Sequence, residues 1–170
     1  MATIRSAAQG ILADDQRQTR EQIIDMLKKA YWMEIETVMS YIANSINPDG
    51  VRAQEIIESL EQDIQEELGH ARQFGARIKE LYGVVPGSLD FSAEQSYLQP
   101  PDDQIDIVHV IKGVIEAETG AIDFYNQIIE FCEGKDPVTQ DMVIAILHDE
   151  EGHRRLFEGF LREYKSEGLA

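Results

Sequence analysis

Two Glu-x-x-His pairs stand out in the chain, Glu67-Leu68-Gly69-His70 and Glu150-Glu151-Gly152-His153. Each follows a lone glutamate at nearly the same distance. Glu34 precedes Glu67 by 33 residues, and Glu118 precedes Glu150 by 32. Seven residues after each lone glutamate comes a tyrosine, Tyr41 and Tyr125 respectively. One helix-pair pattern is thus written twice, Glu…Tyr on its first helix and Glu-x-x-His on its second. A fold that accepts this sequence must bring four carboxylates and two imidazoles onto apolar helix faces.

The apolar spacing predicts four long helices. Thr19-Arg20-Glu21-Gln22 reads as a capping box, a serine or threonine N-cap answered by an acidic or amide side chain. After it Leu27, Tyr31, Glu34, Val38, Tyr41 and Ser45 recur at steps of three and four, the period of one helix face. Asn47-Pro48-Asp49-Gly50 ends that helix, since proline and glycine break helical hydrogen bonding and geometry. The second stripe is Ile57, Leu60, Ile64, Glu67, Ala71, Phe74, Ile78 and Leu81, closed by Gly83. Periodicity then fails from Val84 to Asp103, a stretch punctuated by Pro86, Gly87, Pro100 and Pro101. Most connections in compact domains run to a handful of residues, so this length suits a crossover along a bundle.

A third helix opens near Asp102 or Asp103, with stripe Ile107, Ile111, Val114, Glu118, Ala121, Tyr125 and Ile128, and Gly134 after its end. Asp136-Pro137 supplies an N-cap and a first-turn proline for the fourth. Its stripe is Met142, Ile146, Glu150, His153, Phe157, Phe160 and Tyr164. The expected class is all-α: a four-helix bundle over residues 19–165, with a long crossover between helices two and three. Residues 1–18 form an N-terminal segment with room for a short helix.

Composition narrows the function. A formal net charge of −17 argues against gripping phosphate backbones, which takes clustered Lys and Arg, so no nucleic-acid partner is expected. Cys132 is the only cysteine, which excludes a disulfide framework and Cys-rich metal sites. Met1 to Gln18 lack a continuous apolar run, and no membrane span is visible. A cytoplasmic location without membrane partners is the default expectation.

Register separates the six candidate ligands from their neighbours. At about 100° per residue, Glu36 and Glu116 lie far round the helix from Glu34 and Glu118. Glu66 and Glu151 lie one step off their Glu-x-x-His neighbours, so all four are expected at solvent or at a rim. His148 points away from the centre, and His109 lies more than two turns before Glu118. Buried carboxylates carry a desolvation penalty of several kcal/mol each. Four together need compensation, and two divalent cations supply it charge for charge. Carboxylate oxygen and imidazole nitrogen suit iron, manganese or zinc. Tyr41 and Tyr125, two turns from a ligand on the same face, are placed either to orient a carboxylate or to pack as core aromatics.

The combined pattern resembles the ferritin-like superfamily, in which two helices each give a Glu and two each give Glu-x-x-His to a di-iron centre. The resemblance covers roughly residues 19–165. It implies that Glu34 and Glu118 are terminal carboxylates, that Glu67 and Glu150 bridge, and that His70 and His153 are the imidazole ligands of two iron ions. The set is most similar to bacterioferritin-type ferroxidase centres and to the erythrin domains of rubrerythrins. The implied chemistry is oxidation of Fe(II) by O2 or H2O2. Glu67 and Glu150 are its catalytic residues, because losing a bridge uncouples the two electron donors. Alternatives are an erythrin-like di-iron peroxidase or oxidase, and a metal-binding bundle without enzymatic activity.

Departures from each family add expectations. Leu68 stands where bacterioferritins place a haem-binding methionine, so no haem is expected. A single cysteine cannot supply a rubredoxin module, and Ala121 occupies a position where rubrerythrins tend to carry a further glutamate. Dps-type mini-ferritins build their centre between subunits, whereas this chain carries a whole set. The chain ends at Ala170, without a fifth helix of the kind cage ferritins carry. A homo-oligomer is therefore expected, with a dimer favoured over a 24-subunit cage.

Overall fold

The structure, a computed structural model, describes residues 9–170. Four helices, α1 Arg17–Ile46, α2 Gln54–Glu80, α3 Ile107–Cys132 and α4 Pro137–Ser166, form a four-helix bundle. The described residues contain no strand, and none of their helices is long and apolar enough to cross a membrane. Short 3-10 turns flank them at Gly10–Leu12, Asp14–Gln16, Ser88–Asp90 and Ser96–Leu98. The expected N-terminal segment is thus two 3-10 turns leading into α1, and its residues 1–8 lie outside the described residues.

Contacts across the bundle fix the direction of the helices. Tyr125 meets Glu34 while Tyr41 meets Glu118, so α1 and α3 run antiparallel. Arg77 meets Asp136, His70 meets Asp149, and His153 meets Glu66; α2 and α4 are antiparallel too. Two apolar clusters fill the bundle on either side of its middle. Leu27, Phe74, Ile78, Ile128 and Ile146 lie in one, and Leu60, Ile111, Val114 and Phe157 in the other. The stripes are interrupted by carboxylates only between these clusters, and that gap is where a polar centre can sit.

Helix ends differ from expectation in three places. Helix α1 begins at Arg17 rather than Thr19, and its N-cap Gln16 makes no side-chain cap. The preceding 3-10 turn already supplies helical geometry, so the Thr19 box lies inside the first turn. Helix α3 begins later than expected, with Asp106 as N-cap accepting from the His109 N–H. At the end of α2 the left-handed residue is Tyr82 (φ 67°), not Gly83. Gly83 is needed for space instead: a Cβ there would meet Ile78 at 2.9 Å and Ile24 at 3.0 Å. Gly134 does take the left-handed conformation after α3 (φ 69°), and Asp136 caps α4 with Pro137 in its first turn.

The crossover lies in the groove between α1 and α3. Glu36, expected at solvent or at a rim, is buried because the crossover covers its face. Its carboxylate accepts the Glu94 N–H at 2.8 Å and the Gln95 N–H at 2.7 Å. Farther along, Asn44 donates to the Leu98 carbonyl at 2.9 Å. On the other side, a Cβ at Gly113 would sit 2.8 Å from the Tyr97 carbonyl oxygen, so glycine admits the loop there.

One buried ion pair ties the α3–α4 turn to α2. Arg77 donates from Nη2 to both oxygens of fully buried Asp136 at 2.9 and 3.0 Å, and from Nε to Thr139 Oγ1 at 2.9 Å. Removing one partner of a buried pair strands the other charge. Asp136→Ala is expected to lower unfolding stability by about 3–5 kcal/mol, read by urea denaturation. A loss below about 1 kcal/mol, typical of an exposed pair, would show that this pair does not hold the turn.

Candidate metal centre

All six candidate ligands converge in the middle of the bundle, and all are buried. Their donor atoms fall into two groups, each with its members within 4.8 Å of one another. One group is Glu34, Glu67, His70 and Glu150; the other is Glu67, Glu118, Glu150 and His153. Glu67 and Glu150 belong to both. The i,i+3 spacing puts each Glu and His of a pair side by side on one helix face.

The central four groups form a closed ring. His70 Nδ1 lies 3.3 Å from Glu67 Oε2 and 3.2 Å from Glu150 Oε1. His153 Nδ1 lies 3.4 Å from Glu67 Oε1 and 3.6 Å from Glu150 Oε2. Each carboxylate therefore turns one oxygen toward each imidazole. Glu67 Oε1, Glu150 Oε1 and His153 Nδ1 are buried without a hydrogen-bond partner, although native proteins pair nearly all such atoms. Inward-facing, unpaired oxygen and nitrogen donors fit divalent metal ions.

The tyrosines act across the bundle rather than along their own helices. Tyr41 on α1 donates to Glu118 on α3, and Tyr125 on α3 donates to Glu34 on α1. Both are fully buried. Each lone glutamate is thus oriented by the tyrosine of the other half, and each phenol also packs as a core aromatic.

The outward nitrogens of both histidines reach carboxylates that the stripe reading passed over. His70 Nε2 lies 3.3 Å from Asp149. His153 Nε2 lies 2.9 Å from Glu66 and 3.7 Å from Asp63. Such a partner fixes ring orientation and leaves Nδ1 free to face a metal. Asp63 was legible, because it stands one turn before Glu67 on the same face. Glu66 and Asp149 lie one residue from a ligand, so only the packing of α2 against α4 shows their role. The other excluded residues sit outside the centre: Glu116, Glu151, His109 and His148 are exposed, and His109 Nε2 lies 3.0 Å from the Gln99 carbonyl oxygen.

Burial and close neighbours shift the groups of this cluster in opposite directions. Burial, reinforced by the charges of Glu67 and Glu150, raises Glu34 and Glu118 well above the usual carboxylate range. Burial would also raise Glu67, but the facing imidazoles of His153 and His70 outweigh it and hold Glu67 at about 2. Burial would lower both imidazoles; instead Glu150 and Glu67 push His70 to about 10 and His153 to about 12. Two divalent cations between these groups would offset the charge of the buried carboxylates.

Comparison with known proteins bears on the family and the fold. The ferritin-like domain family matches residues 24–166. The chain is 32% identical over 146 residues to the "DNA protection during starvation protein" of Pyrococcus furiosus, covering 83% of this chain and 77% of that one. It is 23% identical over 158 residues to the bacterioferritin of Desulfovibrio desulfuricans, covering 92% and 84%. The solved structure of a D. desulfuricans bacterioferritin with a diiron site superposes with a TM-score of 0.77 at 21% identity, over 91% of this chain and 86% of that one. A dodecameric thioferritin from Bacteroides fragilis superposes with a TM-score of 0.74 at 23% identity, over 92% and 97%.

These relatives correct two expectations about partners. The preference for a dimer over a cage rested on the missing fifth helix. The thioferritin that superposes on this chain over 97% of its own length is a dodecamer, which overturns that preference. The exclusion of a nucleic-acid connection rested on net charge alone, and a relative at 32% identity bears DNA protection in its name. Whole-chain charge reports on gripping phosphates, not on every way a protein serves DNA. With a match that spans most of its length and a sequence relative above 30% identity, the chain belongs to the ferritin-like family.

Proposed function

We propose that the buried cluster binds two iron ions and that the protein oxidises Fe(II) with O2 or H2O2. The observation that carries this reading is the sharing of Glu67 and Glu150 between both donor groups. In it, Glu34 and His70 hold one ion, Glu118 and His153 hold the other, and the two shared glutamates bridge. Manganese and zinc are chemically acceptable occupants of the same oxygen and nitrogen donors.

Iron enters as substrate. Two Fe(II) each give one electron, and the pair reduces O2 to H2O2, or H2O2 to two waters, with two protons taken up. A bridging carboxylate keeps the two donors close enough to act on one oxidant. Hard oxygen ligands accept both oxidation states. Tyr41 and Tyr125 hold Glu118 and Glu34 in place through their phenols. Asp149 and Glu66 do the same for the imidazoles. The flanking apolar clusters limit water. Protection of DNA, the role in the name of the Pyrococcus relative, would follow for this chain from removal of Fe(II) and peroxide, in a cytoplasmic setting.

Occupancy tests the ligand assignment. His70→Ala and His153→Ala are each expected to lower metal bound per chain, whereas His109→Ala and His148→Ala leave it unchanged, read by elemental analysis after reconstitution. Equal loss in His148→Ala and His153→Ala would mean the wrong face of α4 had been assigned.

Turnover tests the reaction. In stopped-flow mixing with O2 and with H2O2, excess Fe(II) is expected to be oxidised over many equivalents per chain. Glu67→Ala and Glu150→Ala should each remove most of the rate, because losing a shared ligand uncouples the two electron donors. Saturation near two irons, with peroxide turnover that requires an added reductant, would favour the erythrin-like peroxidase instead. Inertness toward both oxidants would leave metal binding alone.

A further inference from the structure

On the side of the crossover, the buried Gln95 amide and Met33 separate the centre from an outer groove. A cavity of about 10 Å³ lies against Glu34, Glu67, Glu118 and Glu150, about enough for a single water. Outside it, between α1, α3 and the crossover, runs a groove of about 600 Å³ whose lining includes Trp32, Asp90, Glu94 and Asp123. Met33 and Gln95 line both spaces. Gln95 is only 5% exposed and is locked by its side chain. Its Nε2 donates to Thr37 Oγ1 at 2.9 Å and to the Met33 carbonyl at 3.3 Å. Its backbone is pinned separately, through the N–H held by Glu36, so the side chain can turn without lifting the loop.

We propose that a divalent cation enters the centre from this groove and that the Gln95 side chain is the gate it passes. This rests on the metal-binding reading above and adds the route and the residue that sets its rate. Asp90, Glu94 and Asp123 outnumber Lys29 in the lining, and this acidic excess draws a cation into the groove. To let the ion through, the Gln95 amide leaves Thr37 and Met33, and its carbonyl oxygen replaces a lost water on the passing ion. The gate then closes over a cavity too small for bulk solvent. Entry beside the histidines, where Glu66 and Asp149 are partly exposed, is the competing route.

Co(II) added to the metal-free protein, followed by the visible absorption it gains on binding, separates these routes. Gln95→Ala removes the gate and should speed loading about tenfold, the factor that one or two neutral hydrogen bonds correspond to, with Co(II) per chain at equilibrium unchanged. Thr37→Val keeps the size of the gate but removes the Thr37 part of its latch, leaving the Met33 carbonyl, and should speed loading in the same direction by a smaller factor. It also carries the test if Gln95→Ala fails to fold. Loading at the wild-type rate or slower in the folded variants overturns the gate while leaving the metal site intact. Failure of the wild-type protein to bind Co(II) at all overturns the metal-binding reading and the gate with it.

Discussion

Four glutamates buried at one level of a helical bundle are the constraint from which the rest of this structure follows. An ionised carboxylate taken out of water costs several kcal/mol, and close neighbours raise that cost. The two histidines, the two cross-bundle tyrosines and the carboxylates behind the imidazoles all answer that demand. Even so, Glu67 Oε1, Glu150 Oε1 and His153 Nδ1 remain without partners. A packed core does not usually keep such atoms, and a cation between them removes the conflict. The apolar clusters on either side stabilise the bundle, so the middle is free to be polar.

The two halves of the sequence are repeated, but neither half makes a site alone. Glu34 is held by Tyr125, and Glu118 by Tyr41. Glu67 and Glu150 each serve both histidines. Both tyrosine–glutamate contacts, and one of the two histidine contacts of each shared glutamate, cross from one helix pair to the other, which makes assembly of the centre and closure of the bundle one event. The crossover completes the enclosure, since Glu36, Thr37 and Asn44 fasten it over the face where α1 meets α3. The whole donor set lies within one chain, even though a relative at 32% identity carries the DNA-protection name.

Much of this was legible in the sequence. The stripes showed four helices because apolar residues recur at helical steps on each, and the ligands betrayed themselves by standing in those stripes. Glu36 was misread for a physical reason: its angle on α1 was right, but an irregular crossover, which has no periodicity to read, buries that angle. The start of α3 was set too early because Asp102, Asp103 and Asp106 are all plausible caps, and only packing of the stripe that begins at Ile107 chooses among them. The orienting tyrosines were found but their partners were not, because spacing along one helix says nothing about which helix lies opposite. Assembly could not be read from a missing helix, since subunit contacts depend on surface shape rather than on element count.

Crystals of iron-loaded protein, measured with anomalous scattering at the iron edge, test the central claim most directly. The account predicts two iron ions per chain, about 4 Å apart as in other two-metal centres, with Glu67 and Glu150 each contacting both, Glu34 and His70 on one, and Glu118 and His153 on the other. A single ion, no ion between the helices, or a pair that leaves Glu67 or Glu150 bound to only one metal would contradict it.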